Sequence, residues 1–320
     1  MDELPPLPLV DFPADALEEI IHWLTPERLA ALIDATDLRA DTPEANIRAL
    51  AETAVRHRCA SVCVNPVEVD LLPRLLAGTG VKECYVVDFP LGKSTIAMKA
   101  YQAARLVTES RAIRREGPGW VELDMVINVG RLRDDPEHTW REVAAVVDAA
   151  DGEVVKVIIR SSELRNEDIT LACRIAQEAG AHFVKNSTGM EAFGATPEHI
   201  RRMREAVGPG MGVKAAGGIR SAADAVRLIF AGAPTPDLRV PERFRLGTSS
   251  PTGLLSTLER LQANPSAILT DAIPCSYCPS GYAEKQSPPL RAAALALCPR
   301  CPHRHRREEW LALLYRPPST

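Results

Sequence analysis

Two lysines lie at equivalent positions in the sequence, each at the end of a short apolar segment that a polar or glycine-rich turn follows. Lys185 ends HFVK and precedes NSTG, and Lys214 ends GVK and precedes AAGG. Lysine is rarely fully buried without a partner, so lysines at the ends of two consecutive predicted strands indicate a site rather than a core. The alternative is that each lysine extends from the rim of the fold into solvent.

An uncharged lysine amine attacks carbonyl carbons and forms a Schiff base. Desolvation or a neighbouring cation favours the uncharged form. Lys185 and Lys214 fit such a pair.

The lysines belong to a regular series of predicted strands, each followed by a segment with helical periodicity. The predicted strands are 31–38, 59–65, 83–89, 120–128, 154–160, 182–187, 212–218 and 244–250. Nearly continuous apolar strands that alternate with amphipathic helices are typical of a parallel sheet covered by helices. Eight such units predict an α/β fold, a closed (β/α)₈ TIM barrel with its active site at the C-terminal ends of the strands. An open doubly wound sheet competes, but no GxGxxG turn follows the first strand.

Further charged residues lie within the predicted strands and should converge on the barrel axis. Asp34 is on the first strand, Asp124 on the fourth and Lys156 on the fifth. Beside two lysines we expect Asp124 to be catalytic, although a carboxylate that only neutralises a lysine is the alternative. We expect Asp34 and Lys156 to form a supporting shell of ion pairs.

The loops after the last two strands carry small residues and hydroxyls. They are AAGGIRS (215–221) and RLGTSS (245–250), and a predicted helix begins just after each. Barrels of this class bind phosphate at these loops, because backbone N–H groups and a helix N-terminus stabilise an anion. A phosphorylated substrate is expected, and ordinary glycine turns and serine caps are the alternative.

The stretches IDATDL, CVNP, DFPLGKST, ELDMVINVG, VKVI, FVKNSTG, GVKAAGGIRS and RLGTSS resemble, in order and spacing, the motifs of the deoxyribose-phosphate aldolases, a family of class I aldolases. The likeness covers about residues 29–262. It implies a (β/α)₈ fold, a Schiff-base mechanism without a cofactor, and reversible cleavage of 2-deoxy-D-ribose 5-phosphate to acetaldehyde and D-glyceraldehyde 3-phosphate.

The resemblance also implies a role for each matching residue. Lys185 resembles the Schiff-base lysine, Lys214 the lysine that favours its uncharged form, and Asp124 the acid that takes part in proton transfer. The positions that line the family's pocket match Asp34, Cys63, Lys156 and Thr188. The phosphate site matches Gly217, Gly218, Gly247, Ser249 and Ser250, with Gly189 near it.

The chain departs from the family pattern at a few positions. Arg160 begins the segment RSS where the family usually has ETG, which adds positive charge to the expected pocket. Asn186 stands where threonine is common, and Ala35 and Asp37 replace histidine and leucine. These changes leave the lysines in place. The alternatives are therefore another phosphorylated aldehyde or ketone as substrate, or a weakened barrel that acts as a scaffold or regulator.

The C-terminal part of the chain carries two CxxC pairs separated by nineteen residues, Cys275, Cys278, Cys298 and Cys301. This spacing predicts a zinc-ribbon-like site for structural Zn²⁺, with unliganded cysteines as the alternative. His303 or His305 could replace a cysteine, but their arginine neighbours favour a solvated stretch. The tail is a candidate docking module for a protein, with nucleic acid left open. The remaining cysteines are expected to be small buried hydrophobes: Cys59, Cys63, Cys84 and Cys173.

Length and composition limit the class of protein. The chain has 320 residues, 46% of them hydrophobic, and a net charge of -4. We expect an N-terminal arm and helix at 1–28, the barrel at 29–262 and an extension at 263–320. No long basic patch precedes position 290, so nucleic acid is not expected for the barrel. No membrane span or signal peptide is predicted, which favours a cytoplasmic protein. A homo-oligomer is a separate expectation.

Overall fold

The computed structural model describes residues 13–265 and 268, and its strands close into a parallel barrel. The strands are β1 (Ile33–Asp37), β2 (Ser61–Val64), β3 (Lys82–Val87), β4 (Val121–Val126), β5 (Val154–Ile158), β6 (Phe183–Lys185), β7 (Gly212–Ala216) and β8 (Phe244–Thr248). Each strand pairs with the next one along the chain, and β8 pairs with β1. The predicted (β/α)₈ barrel is confirmed.

Helices separate the strands and form the outer layer. The α-helices of the described residues are α1 (Ala14–Trp23), α2 (Pro26–Ala30), α3 (Glu44–His57), α4 (Leu72–Leu76), α5 (Ile96–Arg114), α6 (Val129–Asp134), α7 (Pro136–Ala149), α8 (Asn166–Glu178), α9 (Pro197–Val207), α10 (Ala222–Gly232) and α11 (Pro251–Ala263). None of them is long and apolar enough to cross a membrane.

The apolar core lies between the strands and the helices. On β4, Leu123 and Met125 belong to this core, while Glu122 and Asp124 point the other way, towards the barrel axis. TIM barrels usually fill their interior with layers of branched apolar side chains. The interior of this barrel carries charged side chains, and that difference positions the candidate site.

The N-terminal segment forms two helices rather than the one predicted. α1 ends at Trp23, and Thr25 begins α2 by accepting a hydrogen bond at Oγ1 from Arg28 N, 3.2 Å away. The break follows from Pro26, because the residue before a proline is disfavoured in helical geometry. A bidentate ion pair from Arg239 to Glu19 fastens α1 to the barrel.

Two other helical segments differ from the prediction. Residues 67–78, expected as one helix, contain the end of a 3₁₀ helix (Pro66–Asp70) and the short α4, because Pro73 has no N–H to continue a longer helix. The sequence reading missed α6, which Asn128 caps through its side-chain oxygen and Arg131 N. α6 ends at Asp134, and the next residue, Asp135, is the N-cap of α7.

Candidate active site

Lys185 is the last residue of β6 and pairs in register with Lys214, which lies in the middle of β7 rather than at its end as predicted. Both side chains point into the barrel, with 2% and 0% of their surfaces exposed. Both amines donate to one oxygen, Asp124 Oδ2, from 2.7 Å for Lys185 Nζ and 2.8 Å for Lys214 Nζ. The structure therefore brings together the three residues that the sequence reading placed at the centre of the site.

Asp124 is the hub of this cluster. Its Oδ1 accepts from Lys156 Nζ and from the Cys84 thiol, each at 3.1 Å. Burial alone would raise the pKa of Asp124, but Lys156, Lys185 and Lys214 outweigh it and hold that pKa well below the usual range. Asp124 is therefore a fixed anion when no substrate is bound.

Asp34 holds the charged form of Lys214. Lys214 Nζ lies 2.6 Å from Asp34 Oδ2 as well as close to Asp124. Burial opposes the charge on Lys214, yet the two carboxylates outweigh burial and raise its pKa above the usual value. Lys214 is thus a permanent cation beside Lys185.

A second layer of ion pairs lies deeper along the axis. Lys156 Nζ is 2.6 Å from Glu122 Oε2, and Arg245 bridges Asp34 Oδ1 at 2.5 Å and Glu122 Oε1 at 2.9 Å. Despite burial, the neighbouring carboxylates raise the pKa of both Lys156 and Arg245. The expected supporting role of Asp34 and Lys156 agrees with these contacts.

Glu122, Arg245 and Cys84 belong to the cluster although sequence reasoning did not single them out for the site. Glu122 is two residues before Asp124 on β4, and that spacing puts both on one face of a strand. Arg245 pairs in register with Lys214 across β7 and β8. The sequence signal that could have identified Glu122 and Arg245 is a charged residue at a position of an apolar strand that faces the barrel axis.

Two cysteines line the axis near Asp124, in paired register on β2 and β3. Cys63 Sγ lies 3.8 Å from Asp124 Oδ2, which agrees with its expected place in the pocket wall. Cys84 was expected to be only a small hydrophobe, but its thiol donates to Asp124 and its sulfur accepts from Lys156 Nζ at 3.3 Å. One ligand atom each from Cys63, Cys84 and Asp124 lie within 4.8 Å of one another, as in a cation site. Both oxygens of Asp124, however, already accept hydrogen bonds from lysine amines, which disfavours a cation at this position.

The loop after β6 is held in shape by a buried glutamate, Glu191. It accepts from Ser187 Oγ at 2.5 Å and from Thr188 N at 3.0 Å. The Thr188 hydroxyl accepts from Met190 N, and Gly189 has a φ of +83° with its N–H bound to Ser187 Oγ. Thr188 and Gly189 thus lie just beyond Asn186 and Ser187, in a turn after Lys185 whose backbone is fixed.

The expected phosphate loops lie at the same end of the barrel. Gly217 and Gly218 have φ values of +92° and +81°, and a Cβ on Gly217 would lie 2.7 Å from Gly194 Cα. Only glycine fits there without strain. The space beside Gly247 is also limited, since a Cβ on this residue would lie 3.2 Å from Lys214 Cε.

The serines after β8 lie at the start of α11. Ser249 is exposed, and Ser250 is the N-cap residue of α11 but makes no side-chain capping bond. Thr248 Oγ1 donates to Ile219 O and accepts from Ser250 N. This ties the β8 loop to the β7 loop.

The guanidinium of Arg160 is engaged by neighbouring loops. It donates to Pro90 O at 2.5 Å and to Glu163 Oε2 at 2.8 Å, and Glu191 Oε1 is 3.8 Å from Nε. Arg160 therefore joins the loop after β3 to the loop after β5. Two glutamates offset the positive charge that the sequence reading assigned to the pocket.

The other departures from the family pattern do not contact the lysine amines. Ala35 packs in the core outside the barrel, and Asp37 pairs with Arg39 and Thr42. Asn186 Oδ1 accepts from Ala216 N at 2.7 Å, which joins β6 to β7. These substitutions leave the axial cluster unchanged.

The predicted zinc ligands Cys275, Cys278, Cys298 and Cys301 lie outside the described residues.

Comparison with known proteins identifies the family. The family model for "DeoC/LacD family aldolase" matches residues 29–258. The deoxyribose-phosphate aldolase of Clostridium perfringens strain SM101 is 46% identical over 209 residues, which cover 65% of this chain and 89% of that protein. Deoxyribose-phosphate aldolase 1 of Bacillus licheniformis is also 46% identical over 209 residues, 65% of this chain and 90% of that protein.

A solved structure supports the same assignment. The tetrameric deoxyribose phosphate aldolase of Aeropyrum pernix has a TM-score of 0.66 at 33% identity, and the match covers 77% of this chain and 98% of that one. Fold, sequence and the axial lysines agree. The chain belongs to the DeoC/LacD family of aldolases.

Proposed function

We propose that the protein is a class I aldolase that reversibly cleaves 2-deoxy-D-ribose 5-phosphate to acetaldehyde and D-glyceraldehyde 3-phosphate. The observation that carries this proposal is the single oxygen, Asp124 Oδ2, shared by the amines of Lys185 and Lys214. The names of the relatives from Clostridium perfringens and Bacillus licheniformis support the substrate.

The charges of the barrel interior indicate which lysine is the nucleophile. Among the described residues, four buried cationic side chains face three buried carboxylates there, and they are Lys156, Lys185, Lys214 and Arg245 against Asp34, Glu122 and Asp124. The partly exposed Lys82 adds a further cation 3.6 Å from Glu122. An unbalanced charge in a buried site is costly, so one cation is best discharged. Lys214 has two carboxylate partners and Lys185 has one, so Lys185 is the amine that releases its proton.

The reaction then follows from the geometry. Lys185 Nζ attacks the aldehyde carbon of the open-chain sugar, and loss of water gives an iminium that withdraws electrons. The bond between C2 and C3 breaks as the C3 hydroxyl gives up its proton, which releases the phosphorylated aldehyde. The enamine that remains on Lys185 is protonated and hydrolysed to acetaldehyde.

Asp124 is placed to move these protons. Lys185 Nζ and Lys214 Nζ both donate to Asp124 Oδ2, so this carboxylate can take up a proton beside Lys185 and return it without a side-chain rearrangement, while Lys214 remains charged. Catalysis through a Schiff base on Lys185 requires no cofactor.

The substrate phosphate is proposed to bind the loops after β7 and β8. Gly217 and Gly218 turn their backbone in conformations favoured only by glycine, and Ser250 keeps its hydroxyl free of the helix cap. The remaining proposed phosphate contacts are Gly189, Gly247 and Ser249. A backbone cradle beside a helix N-terminus suits a phosphate dianion.

Borohydride trapping tests the nucleophile directly. Acetaldehyde with borohydride should add an ethyl group to Lys185, found by peptide mass spectrometry, and Lys185→Arg should abolish labelling and turnover together. Lys99 is the matched control amine, because it is equally buried and is paired with Glu142 and Asp88 away from the axis. Labelling of Lys99 or of no lysine would contradict the Schiff-base assignment.

A turnover assay tests the substrate separately. The guanidinium of Arg160 is engaged by Pro90 O, Glu163 and Glu191, which favours the family substrate over an altered one. Trapping at Lys185 without turnover of 2-deoxy-D-ribose 5-phosphate would indicate another phosphorylated aldehyde or ketone.

Four further assignments are proposed. Self-association, proposed from the tetrameric Aeropyrum pernix relative, is tested by light scattering. Structural Zn²⁺ on Cys275, Cys278, Cys298 and Cys301 rests on spacing alone and is tested by metal analysis of the full chain. A cytoplasmic location and protein docking by the tail are proposals that cell fractionation and pull-down would test.

A further inference from the structure

Two cysteines face each other inside the barrel, beside the catalytic carboxylate. Cys63 on β2 and Cys84 on β3 are paired in register, and both side chains are fully buried on the axial side of their strands. With Val86 they form a small cluster of their own, separate from the main core. The proposed reaction has no step that uses either sulfur as a nucleophile.

The geometry suits a covalent bond between the sulfurs. Adjacent strands lie about 4.7–4.9 Å apart, which is within the range of Cα separations found in disulfides, about 4.4–6.8 Å. The two sulfurs already lie within 4.8 Å of each other. Rotation of the two side chains towards each other closes the remaining gap between the sulfurs.

The two thiols differ in the way that disulfide formation requires. Contact with Cys84 lowers the pKa of Cys63, and Lys214 and Lys185 act in the same direction against burial and the charge of Asp124. Burial raises the pKa of Cys84 well above the usual value. Cys63 is therefore the more acidic of the two thiols and the one that reacts first with an oxidant, and Cys84 supplies the second thiol.

A cation is the competing occupant of this cluster. Cys63, Cys84 and Asp124 offer three ligand atoms, but both oxygens of Asp124 already accept hydrogen bonds from lysines. A divalent cation would sit among those lysines and be repelled by them. Oxidation adds no charge, so it is the reaction that these surroundings favour.

We propose that Cys63 and Cys84 form a reversible disulfide when the enzyme meets hydrogen peroxide, a small oxidant that can enter by the route of the larger substrate. The Cys63 thiolate attacks one peroxide oxygen, the O–O bond breaks, and hydroxide leaves while the sulfur becomes a sulfenic acid. Cys84 then attacks that sulfur, the S–S bond forms, and water leaves. Both sulfurs are oxidised, and one peroxide is reduced to two waters.

The disulfide disables the catalytic cluster. Its formation removes the thiol hydrogen that Cys84 donates to Asp124 Oδ1 and pulls Cys63 away from Oδ2. Loss of a hydrogen bond to a charged group predicts a fall in activity of roughly tenfold or more. Reduction by a thiol restores both contacts.

The experiment treats the full-length protein with hydrogen peroxide, blocks free thiols by alkylation and maps tryptic peptides. Trypsin releases Cys63 in peptide 59–74 and Cys84 in peptide 83–93, so the disulfide appears as a cross-link between them. Peptide 59–74 also contains Cys59, a buried thiol whose pKa burial raises to about 12. Cys59→Ala is thus the matched control, and it should keep the cross-link and the loss of activity.

We expect cross-linking and inactivation to rise together and both to be reversed by dithiothreitol. In Cys84→Ser, Cys63 should oxidise further to the sulfinic acid, which thiols do not reduce. The activity that peroxide removes from this variant, measured against untreated Cys84→Ser, should therefore not recover with dithiothreitol. A cross-link through Cys59, or reversible inactivation without the 63–84 cross-link, would overturn the proposal. The cross-link is read by mass, so its failure is distinguishable from failure of the proposed aldolase activity.

Discussion

Lys214 Nζ lies 2.6 Å from Asp34 Oδ2, and so Lys214 has a carboxylate partner that Lys185 lacks. The two lysines otherwise share register and the oxygen of Asp124. This asymmetry holds the charge on Lys214 and supports the proposal that Lys185 is the nucleophile.

Replacing Lys214 by methionine should raise the pH at which the enzyme works. Without that cation, Asp34 and Asp124 keep Lys185 charged, so the acid limb of the kcat/KM profile should move to higher pH and kcat at pH 7 should fall by about 10²–10⁴-fold. Lys214→Arg retains the charge and should restore the position of the limb. A Lys214→Met profile with an unmoved limb would show that Lys214 does not set the charge of Lys185.

Gly217→Ala should weaken substrate binding. The new Cβ would lie 2.7 Å from Gly194 Cα, in a loop proposed to bind phosphate, so KM should rise about tenfold or more with a smaller change in kcat. Gly152→Ala is the matched control, because Gly152 has a φ of +82° but no atom within 4 Å of its Cβ position. Gly152→Ala should lower the free energy of unfolding by only roughly 1–2 kcal/mol, the cost of a left-handed backbone for a residue with a Cβ, and should leave KM unchanged. Equal KM values in the two variants would contradict the loop assignment.

Arg160→Ala should destabilise the loops at the mouth of the barrel. It removes the bonds to Pro90 O and Glu163, and we expect a loss of about 1–3 kcal/mol in the free energy of unfolding, measured by urea denaturation. Arg160→Glu restores the common family residue but adds a third carboxylate beside Glu163 and Glu191, so it should be less stable than Arg160→Ala. The reverse order would mean that Arg160 does not act by joining these loops.

Stability should decline in acid because of the axial carboxylates. The pKa values of Asp34, Glu122 and Asp124 are lowered in the folded barrel, whereas unfolded Asp and Glu bind protons near pH 4. Protons therefore favour the unfolded chain, and the free energy of unfolding should be fully maintained above about pH 5 and fall as the pH drops below about 4.

Asp34→Asn tests the source of that decline. It leaves Lys214 and Arg245 short of a partner, so it should cost about 3–5 kcal/mol at pH 7 and make the acid slope shallower. Glu52→Gln, at an exposed position on α3, should change neither quantity. An unchanged slope in Asp34→Asn would place the acid sensitivity elsewhere.

The sequence predicted the barrel and its central residues because both leave strong local signals. Apolar strands alternate with helical periodicity, and Lys185 and Lys214 interrupt that pattern where a strand ends. The likeness to the deoxyribose-phosphate aldolases then indicated which of the charged residues take part in catalysis and which support them.

Contacts across the axis could not be read in the same way. Glu122 and Arg245 resemble ordinary surface residues in sequence, and only the closed register of the strands brings them together. Cys84 likewise gains its polar partners from β4 and β5, far away along the chain. The breaks at Pro26 and Pro73 had a local signal, which the apolar periodicity concealed.

The far end of α11 is fixed at the floor of the barrel. Gln262 donates to Ile21 O and Leu24 O ahead of β1, and Arg227 donates to Ile268 O. Lys185 lies at the opposite rim, about one helix length from the end of α11, which is roughly 20 Å for its 13 residues at 1.5 Å per residue. The anchored end of α11 and the reactive amine thus occupy opposite poles of the barrel, so the bonds that hold this helix in place lie away from the chemistry.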